Sequence, residues 1–301
     1  METIWPLRSM LFIPAHKLDW VRNVARFQPD SVVLDLEDAV PVELKKDARR
    51  LAREGIGILK SLGIPAFVRI NALSQGGVED VPEITTVGFS GVMLPKARTA
   101  AEVSELDALL AYSEGRAGLQ YGSVCILPLP ETAEGLWNAR DLAAASKRVA
   151  GLVGVVGGPM AGDVARAMGF RPTMEGTEQL YLNSKLVLDS RAAGAQYPMA
   201  SVIGTKLDDL NSVRRLAARA RTFGYSGAIL IHPSHVKIAN EVYTPTPDEV
   251  KYFAGLLAAM REAERSGNAA TSYQGMMVDY AMMPLAEEVI RQAKRHGVMP
   301  S

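Results

Sequence analysis

Short runs of β-branched and other apolar residues, each closed by turn residues, recur eight times along this chain, at 10–14, 31–35, 66–70, 91–94, 124–127, 151–155, 199–203 and 228–231. Between them lie Ala-, Leu-, Glu-, Lys- and Arg-rich stretches with helical spacing, at 42–62, 101–110, 134–145, 178–193 and 207–223. Runs that are apolar on both faces suit parallel strands held between a core and covering helices. Eight strand–helix units in about 230 residues predict an α/β TIM barrel, (β/α)8, with an open doubly wound sheet as the alternative.

The barrel reading makes a demand, because active sites of this fold sit on the loops after the C-terminal ends of the strands. The second run passes into LDLEDA, with Asp35, Glu37 and Asp38, the third into Arg69 and Asn71, and the fourth into Lys96. The fifth leads to PLPETAEG with Glu131, the sixth to GGPMAGD with Asp163, and the eighth to His232-Pro233. Polar and charged groups therefore converge on one rim. Glu131 and Asp163 on adjacent loops would make an oxygen-only site of the kind Mg²⁺ prefers, and as first-turn helix residues they also fit a capping role. Arg69 at the end of a buried strand needs an anion, either a substrate carboxylate or an internal partner among Asp35, Glu37 and Asp38. Arg8, His16 and Lys17 near the first run, with Lys96, are candidates for a phosphate pocket or ordinary surface charges.

Several chemistries are excluded or disfavoured. GGPMAGD lacks the Gly-Lys-Ser/Thr ending of a phosphate loop, no GxGxxG follows the first strand, and GxSxG is absent. The four histidines are scattered, which disfavours zinc. Lys plus Arg and Asp plus Glu both number 33, so no net charge draws the chain to nucleic acid. The longest uncharged apolar stretch, 149–162, is too short for a membrane span. The N-terminus carries no export pattern and Cys125 is the one cysteine, so a reducing, cytoplasmic location is expected.

With 48% hydrophobic residues among 301, the chain can bury one full-sized core. The 69 residues after His232 exceed what a closing helix requires. Thr246-Pro247-Asp248-Glu249 is a capping box with proline at the first helical position and predicts a helix to about 266. A Gly-rich loop, a short apolar stretch around Asp279 and an amphipathic helix from about Pro284 follow. The expected division is a barrel over 1–245 and a closing helix plus C-terminal lid segment over 246–301.

The order RSMLFIPAHK, DSVVLDLEDAV, VRIN, GVMLPKA, PLPETAEGLWNA, GDVARAMG, IHPSHV and GMMVDYAM resembles the HpcH/HpaI aldolase and citrate-lyase β-subunit family, in particular its CoA-ester lyases acting on malyl-CoA or citramalyl-CoA. The resemblance covers nearly the whole chain. It implies a TIM barrel that uses Mg²⁺ to make or break a carbon–carbon bond beside a thioester, yielding a 2-oxo acid and an acyl-CoA. By it, Glu131 and Asp163 hold the metal and Arg69 holds the keto acid or enolate. Glu37 and Asp38 anchor that arginine and metal-bound waters, and Arg8, Lys17 and Lys96 lie near the acyl or CoA phosphates. Asp279 matches the aspartate of a C-terminal lid that acts as general acid or base on a neighbouring subunit, which implies a homotrimer or homohexamer. The resemblance leaves open a thioesterase, a CoA-free 2-oxo acid aldolase, and a subunit of a citrate-lyase-type complex. Two departures stand out: Phe-Ile-Pro-Ala15 where Phe-Val-Pro-Gly is common, and a GGPMAG loop that sets Asp163 32 positions after Glu131, a few more than in typical members.

Overall fold

A computed structural model of the chain describes residues 5–160 and 162–299. The first of two compact units, running to Glu241, holds an eight-stranded parallel sheet rolled into a TIM-type barrel. Its strands are β1 (Ser9–Pro14), β2 (Ser31–Asp35), β3 (Ala66–Arg69), β4 (Phe89–Pro95), β5 (Cys125–Leu129), β6 (Val153–Gly157), β7 (Met199–Ile203) and β8 (Gly227–Leu230). Each pairs in parallel with its sequence neighbour from β1 to β5 and from β6 to β8, and β1 also pairs with β8. Helices Lys45–Ser61, Gly77–Ile84, Ala100–Ala117, Leu180–Ala192 and Leu210–Phe223 fill the main crossovers. The open doubly wound alternative is thereby excluded.

The β5–β6 seam is closed by chain just ahead of β6. Ile126 N donates to Arg148 O at 2.8 Å, and Ala150 N to Ile126 O at 3.1 Å. Arg148 is pinned there by a buried ion pair. Its Nη1 and Nη2 each meet a carboxylate oxygen of Glu114 at 2.8 Å, and its Nε meets Asp107 at 2.6 Å.

Alternation along the strands decides which side chains enter the barrel. Met10, Val33, Phe67, Met93, Leu127, Val153, Met199 and Ile229 point inward and make one core, with Leu7 and Leu129. Gly91 lacks a side chain because a Cβ there would lie 2.5 Å from the Phe67 ring and 2.6 Å from Cys125 Sγ. The intervening residues, such as Val32, Leu34, Val68 and Ile126, are equally buried, against the helices. Strands buried on both faces read as unbroken apolar runs, which is why the sequence signalled them so clearly.

The second unit, from Val242, starts with the expected helix, Pro247–Arg265. Both halves of its capping box form: Thr246 Oγ1 accepts from Glu249 N at 3.1 Å, and Thr246 N donates to Glu249 Oε2 at 2.8 Å. The stretch around Asp279 is an antiparallel hairpin, β9 (Ala270–Tyr273) and β10 (Met276–Asp279), followed by helix Met283–Arg295. Leu256, Leu257, Met260, Val278 and Ala286 form this unit's own small core. Among the described residues no helix is long and apolar enough to cross a membrane.

Removing one partner of the seam ion pair leaves a buried charge unmatched, so Arg148→Met should lower the unfolding free energy by about 3–5 kcal/mol in urea denaturation. Adding Glu114→Gln should restore much of that loss; additive losses would show that the pair is not coupled.

Candidate active site at the barrel mouth

The same two-residue period that sends Val33, Phe67 and Leu127 into the barrel carries Asp35, Arg69 and Glu131 to its mouth. Asp35 and Arg69 stand opposite each other in the β2–β3 register, one layer above the Val33–Phe67 pair. The Arg69 guanidinium binds Asp35 in fork geometry, Nε to Oδ1 at 2.7 Å and Nη2 to Oδ2 at 2.6 Å. The same carboxylate accepts the backbone N–H of Glu37 at 3.0 Å and of Ala39 at 3.1 Å. It thereby shapes the LDLEDA turn and aims the arginine together. Arg69 also lies over the Phe12 ring, 4.8 Å from its centroid. Burial disfavours its charge, but Asp35, with Glu37 and Glu131, outweighs burial and holds the guanidinium above its ordinary pKa.

Glu37 is buried beside this pair. Its Oε1 accepts from Lys96 Nζ at 2.7 Å, while Oε2 lies 3.2 Å from Arg69 Nη1 but has no hydrogen-bond partner. Burial raises its pKa, a rise that Arg69 and Lys96 only partly offset. Lys96 follows β4 with a left-handed φ of 51°, a conformation that costs a non-glycine residue on the order of 1 kcal/mol. Its Nζ sits 3.5 Å from Asp38 and 3.8 Å from Asp163 as well as against Glu37. Burial opposes the ammonium, yet these carboxylates hold its pKa above the usual value.

Glu131 lies between β5 and the helix Ala133–Trp137, which Thr132 caps by accepting from Gly135 N at 3.0 Å. Its carboxyl is pushed up to about 7, first by burial and then by the negative charges of Glu37 and Asp163. Asp163 opens the helix Asp163–Met168 and pairs with Arg166 at 2.6 Å. The chain leaving β6 is held where it enters the long loop. Gln179 receives Gly157 N–H at 2.9 Å and returns a bond to Gly157 O at 3.1 Å, and Gly158 N reaches Ile203 O at 3.0 Å. Despite the added residues, Asp163 arrives beside Lys96 and within electrostatic reach of Glu131.

Glu37, Arg69, Lys96, Glu131 and Asp163 thus form one cluster. The other expected members are placed by their own elements. Arg8 precedes β1 and clasps Asp30, which precedes β2, with contacts of 2.7 and 3.0 Å. Both belong to the N-terminal end of the barrel, so Arg8 is not part of a rim pocket with Lys96. Lys17 is exposed at the end of β1, ahead of the helix Leu18–Arg22. Asp38 is exposed and faces Lys96; the acids that anchor Arg69 are Asp35 and Glu37, because Asp35 rather than Asp38 has the inward strand phase. Asp279 belongs to the second unit, where its carboxylate accepts from Ala281 N at 2.9 Å. Asn71, expected at the end of the third strand, is held by Lys45 and Asp80, two supporting residues that the sequence did not single out. Lys45 Nζ donates to the Leu36 and Glu37 carbonyls at 3.0 and 3.1 Å, and to Asn71, which Asp80 holds through two bonds of 2.8 Å.

Asp35, Glu37, Glu131 and Asp163 outnumber Arg69, Lys96 and Arg166, so the mouth holds more carboxylates than cations paired with them. Among the described residues no group of three His, Cys, Asp or Glu side chains is placed to ligate a metal. A cation here would draw on Glu131 and Asp163 and complete its shell with solvent or substrate oxygens.

A family model described as HpcH/HpaI aldolase/citrate lyase matches residues 8–233. The chain is 33% identical over 293 residues to a citrate lyase subunit beta-like protein of Deinococcus radiodurans, covering 94% of this chain and 96% of that one. It is also 33% identical over 310 residues to the L-malyl-CoA/beta-methylmalyl-CoA lyase of Cereibacter sphaeroides, covering 96% and 95%. A solved structure of CitE from Mycobacterium tuberculosis in complex with magnesium, acetoacetate and coenzyme A superposes with a TM-score of 0.70 at 27% identity, covering 95% of this chain and 97% of that one.

Between its ordinary value near 4.5 and its folded value of about 7, Glu131 binds a proton more readily folded than unfolded. Metal-free protein should therefore lose stability as pH rises through this window, by roughly 2 kcal/mol after allowance for partial exposure. Urea denaturation in EDTA should show this slope for wild type and its loss in Glu131→Gln; an unchanged slope would refute the assignment.

Proposed function

Because this chain belongs to the HpcH/HpaI aldolase/citrate lyase family, we propose that it is a Mg²⁺-dependent carbon–carbon lyase acting on 3-hydroxyacyl-CoA thioesters with a carboxylate beside the hydroxyl, of the malyl-CoA or citramalyl-CoA kind. The observation that carries this reading is the meeting of Glu131 and Asp163 with the locked Arg69 at the barrel mouth. The surplus of carboxylates there fits a bound cation. Glu131 and Asp163 would hold it, and when bound it lowers the pKa of a substrate hydroxyl and stabilises negative charge on oxygen.

The chain's own groups account for the rest. Asp35 takes the Nε–Nη2 edge of the Arg69 guanidinium and Glu37 lies 3.2 Å from Nη1, so the second N–H of Nη2, with Nη1, would meet the substrate carboxylate or the developing enolate oxygen. As the hydroxyl proton leaves, the bond between the carbinol carbon and the carbon next to the thioester breaks. The carbinol carbon becomes the carbonyl of a 2-oxo acid, and the electron pair passes to a thioester enolate. That enolate takes a proton and leaves as acyl-CoA. Asp279 is the candidate proton carrier, from its own chain or a neighbour's in a homotrimer or homohexamer. Glu37 fixes Lys96 and with it the charge balance around Asp163. In this reading the protein works in the cytoplasm and needs no nucleic-acid or membrane partner.

Incubation with malyl-CoA and citramalyl-CoA, with Mg²⁺ or EDTA, should yield 2-oxo acid without free thiol, and only with metal. Thiol without oxo acid would make it a thioesterase, and no product from either thioester would refute the proposed substrate class. Glu131→Ala should abolish metal-dependent turnover while the circular-dichroism spectrum stays native, and Arg69→Lys should lower kcat by about 10²-fold.

A further inference from the structure

A feature of the outer helical layer takes no part in the rim chemistry. A cavity of about 310 Å³ is lined by Arg53 of helix Lys45–Ser61, Glu83 and Thr85 at the end of helix Gly77–Ile84, and Ser113 and Arg116 of helix Ala100–Ala117. The last two helices run back against the strands, so their C-terminal ends lie at the N-terminal end of the barrel, away from the catalytic rim.

The lining has an unfilled hydrogen-bonding demand. The Ser113 hydroxyl is buried, in a residue only 3% exposed, and has no hydrogen-bond partner. Thr85, the other buried hydroxyl there, is satisfied by donating to Val81 O at 2.7 Å. Arg53 uses Nη1 on the Glu83 carbonyl at 3.1 Å, which leaves Nε and Nη2 uncommitted. Arg116 stacks over the Tyr112 ring at 5.8 Å, a contact that occupies the guanidinium face and leaves its N–H edges free. Among the described residues neither arginine is ion-paired with a carboxylate.

A buried hydroxyl and two open guanidinium groups share one complement, a compact group bearing several acceptor oxygens and negative charge. A cation would be repelled by both arginines, and an apolar ligand would leave Ser113 unpaired. Glu83 cancels one positive charge and the second remains. We propose that this cavity is a binding site for a small oxyanion, a phosphate or carboxylate group, held by Arg53, Arg116 and the Ser113 hydroxyl.

The full-length protein should be titrated calorimetrically with inorganic phosphate and, separately, with succinate, at constant ionic strength. Binding of phosphate alone would identify a phosphate source, and binding of succinate alone a carboxylate source. In either case Arg116→Gln and Arg53→Gln should each weaken binding about tenfold, and Ser113→Ala about fivefold. Ser113→Ala should also raise Tm in anion-free buffer, because it removes a buried group without a partner, and that gain should vanish when wild type is saturated with anion. Absence of binding by both anions, or binding unchanged in the Arg53→Gln/Arg116→Gln double variant, would overturn the proposal.

Discussion

The buried Asp35–Arg69 pair is the constraint on which the candidate active site depends. Neither charge is tolerable alone at the top of a barrel core, and the parallel register sets them face to face so that each solves the other's problem. Asp35 then has its remaining acceptor capacity taken by the backbone of its own turn. The loop carrying Glu37 and Asp38 is therefore tied to the Arg69 guanidinium through a single carboxylate. Phe12 beneath the guanidinium and Lys45 behind the loop close off other arrangements.

Around this fixed centre the mouth is left electrically unbalanced. Glu37, Glu131 and Asp163 gather around Lys96 and Arg69, and burial together with the charges of Glu37 and Asp163 pushes the Glu131 carboxyl up to about 7. A site that served only stability would not gather carboxylates in this way, since each buried negative charge without a partner costs free energy. The strained backbone of Lys96 points the same way, because it aims an ammonium at acids from two different strand ends.

Much of this was legible in the sequence because both the fold and the rim follow from a period of two. The runs at 31–35 and 199–203 match β2 and β7, and Glu37, Arg69, Lys96, Glu131 and Asp163, all at or just past strand ends, come together at the mouth. The inward phase of Asp35 was equally readable: it sits two places after Val33, as Arg69 does after Phe67. Asp38, one place out of that phase and exposed, was given its role by resemblance. Arg8 misled because nearness in sequence to the first strand does not say which end of the strand it occupies. Lys45 and Asp80 escaped notice because their contacts are made only by packing of the helices onto the sheet. The β9–β10 hairpin was hidden because its turn is Gln274-Gly275, with φ of 49° and 79°, and lacks the usual Asn-Gly or Asp-Gly signature.

The central claim is that Glu131 and Asp163 together make the mouth a divalent-cation site. Calorimetric titration of metal-free protein with Mg²⁺ tests it without any substrate. Wild type should bind one ion per chain, with heat that disappears in both Glu131→Ala and Asp163→Ala. Binding that survives in both variants would contradict the account.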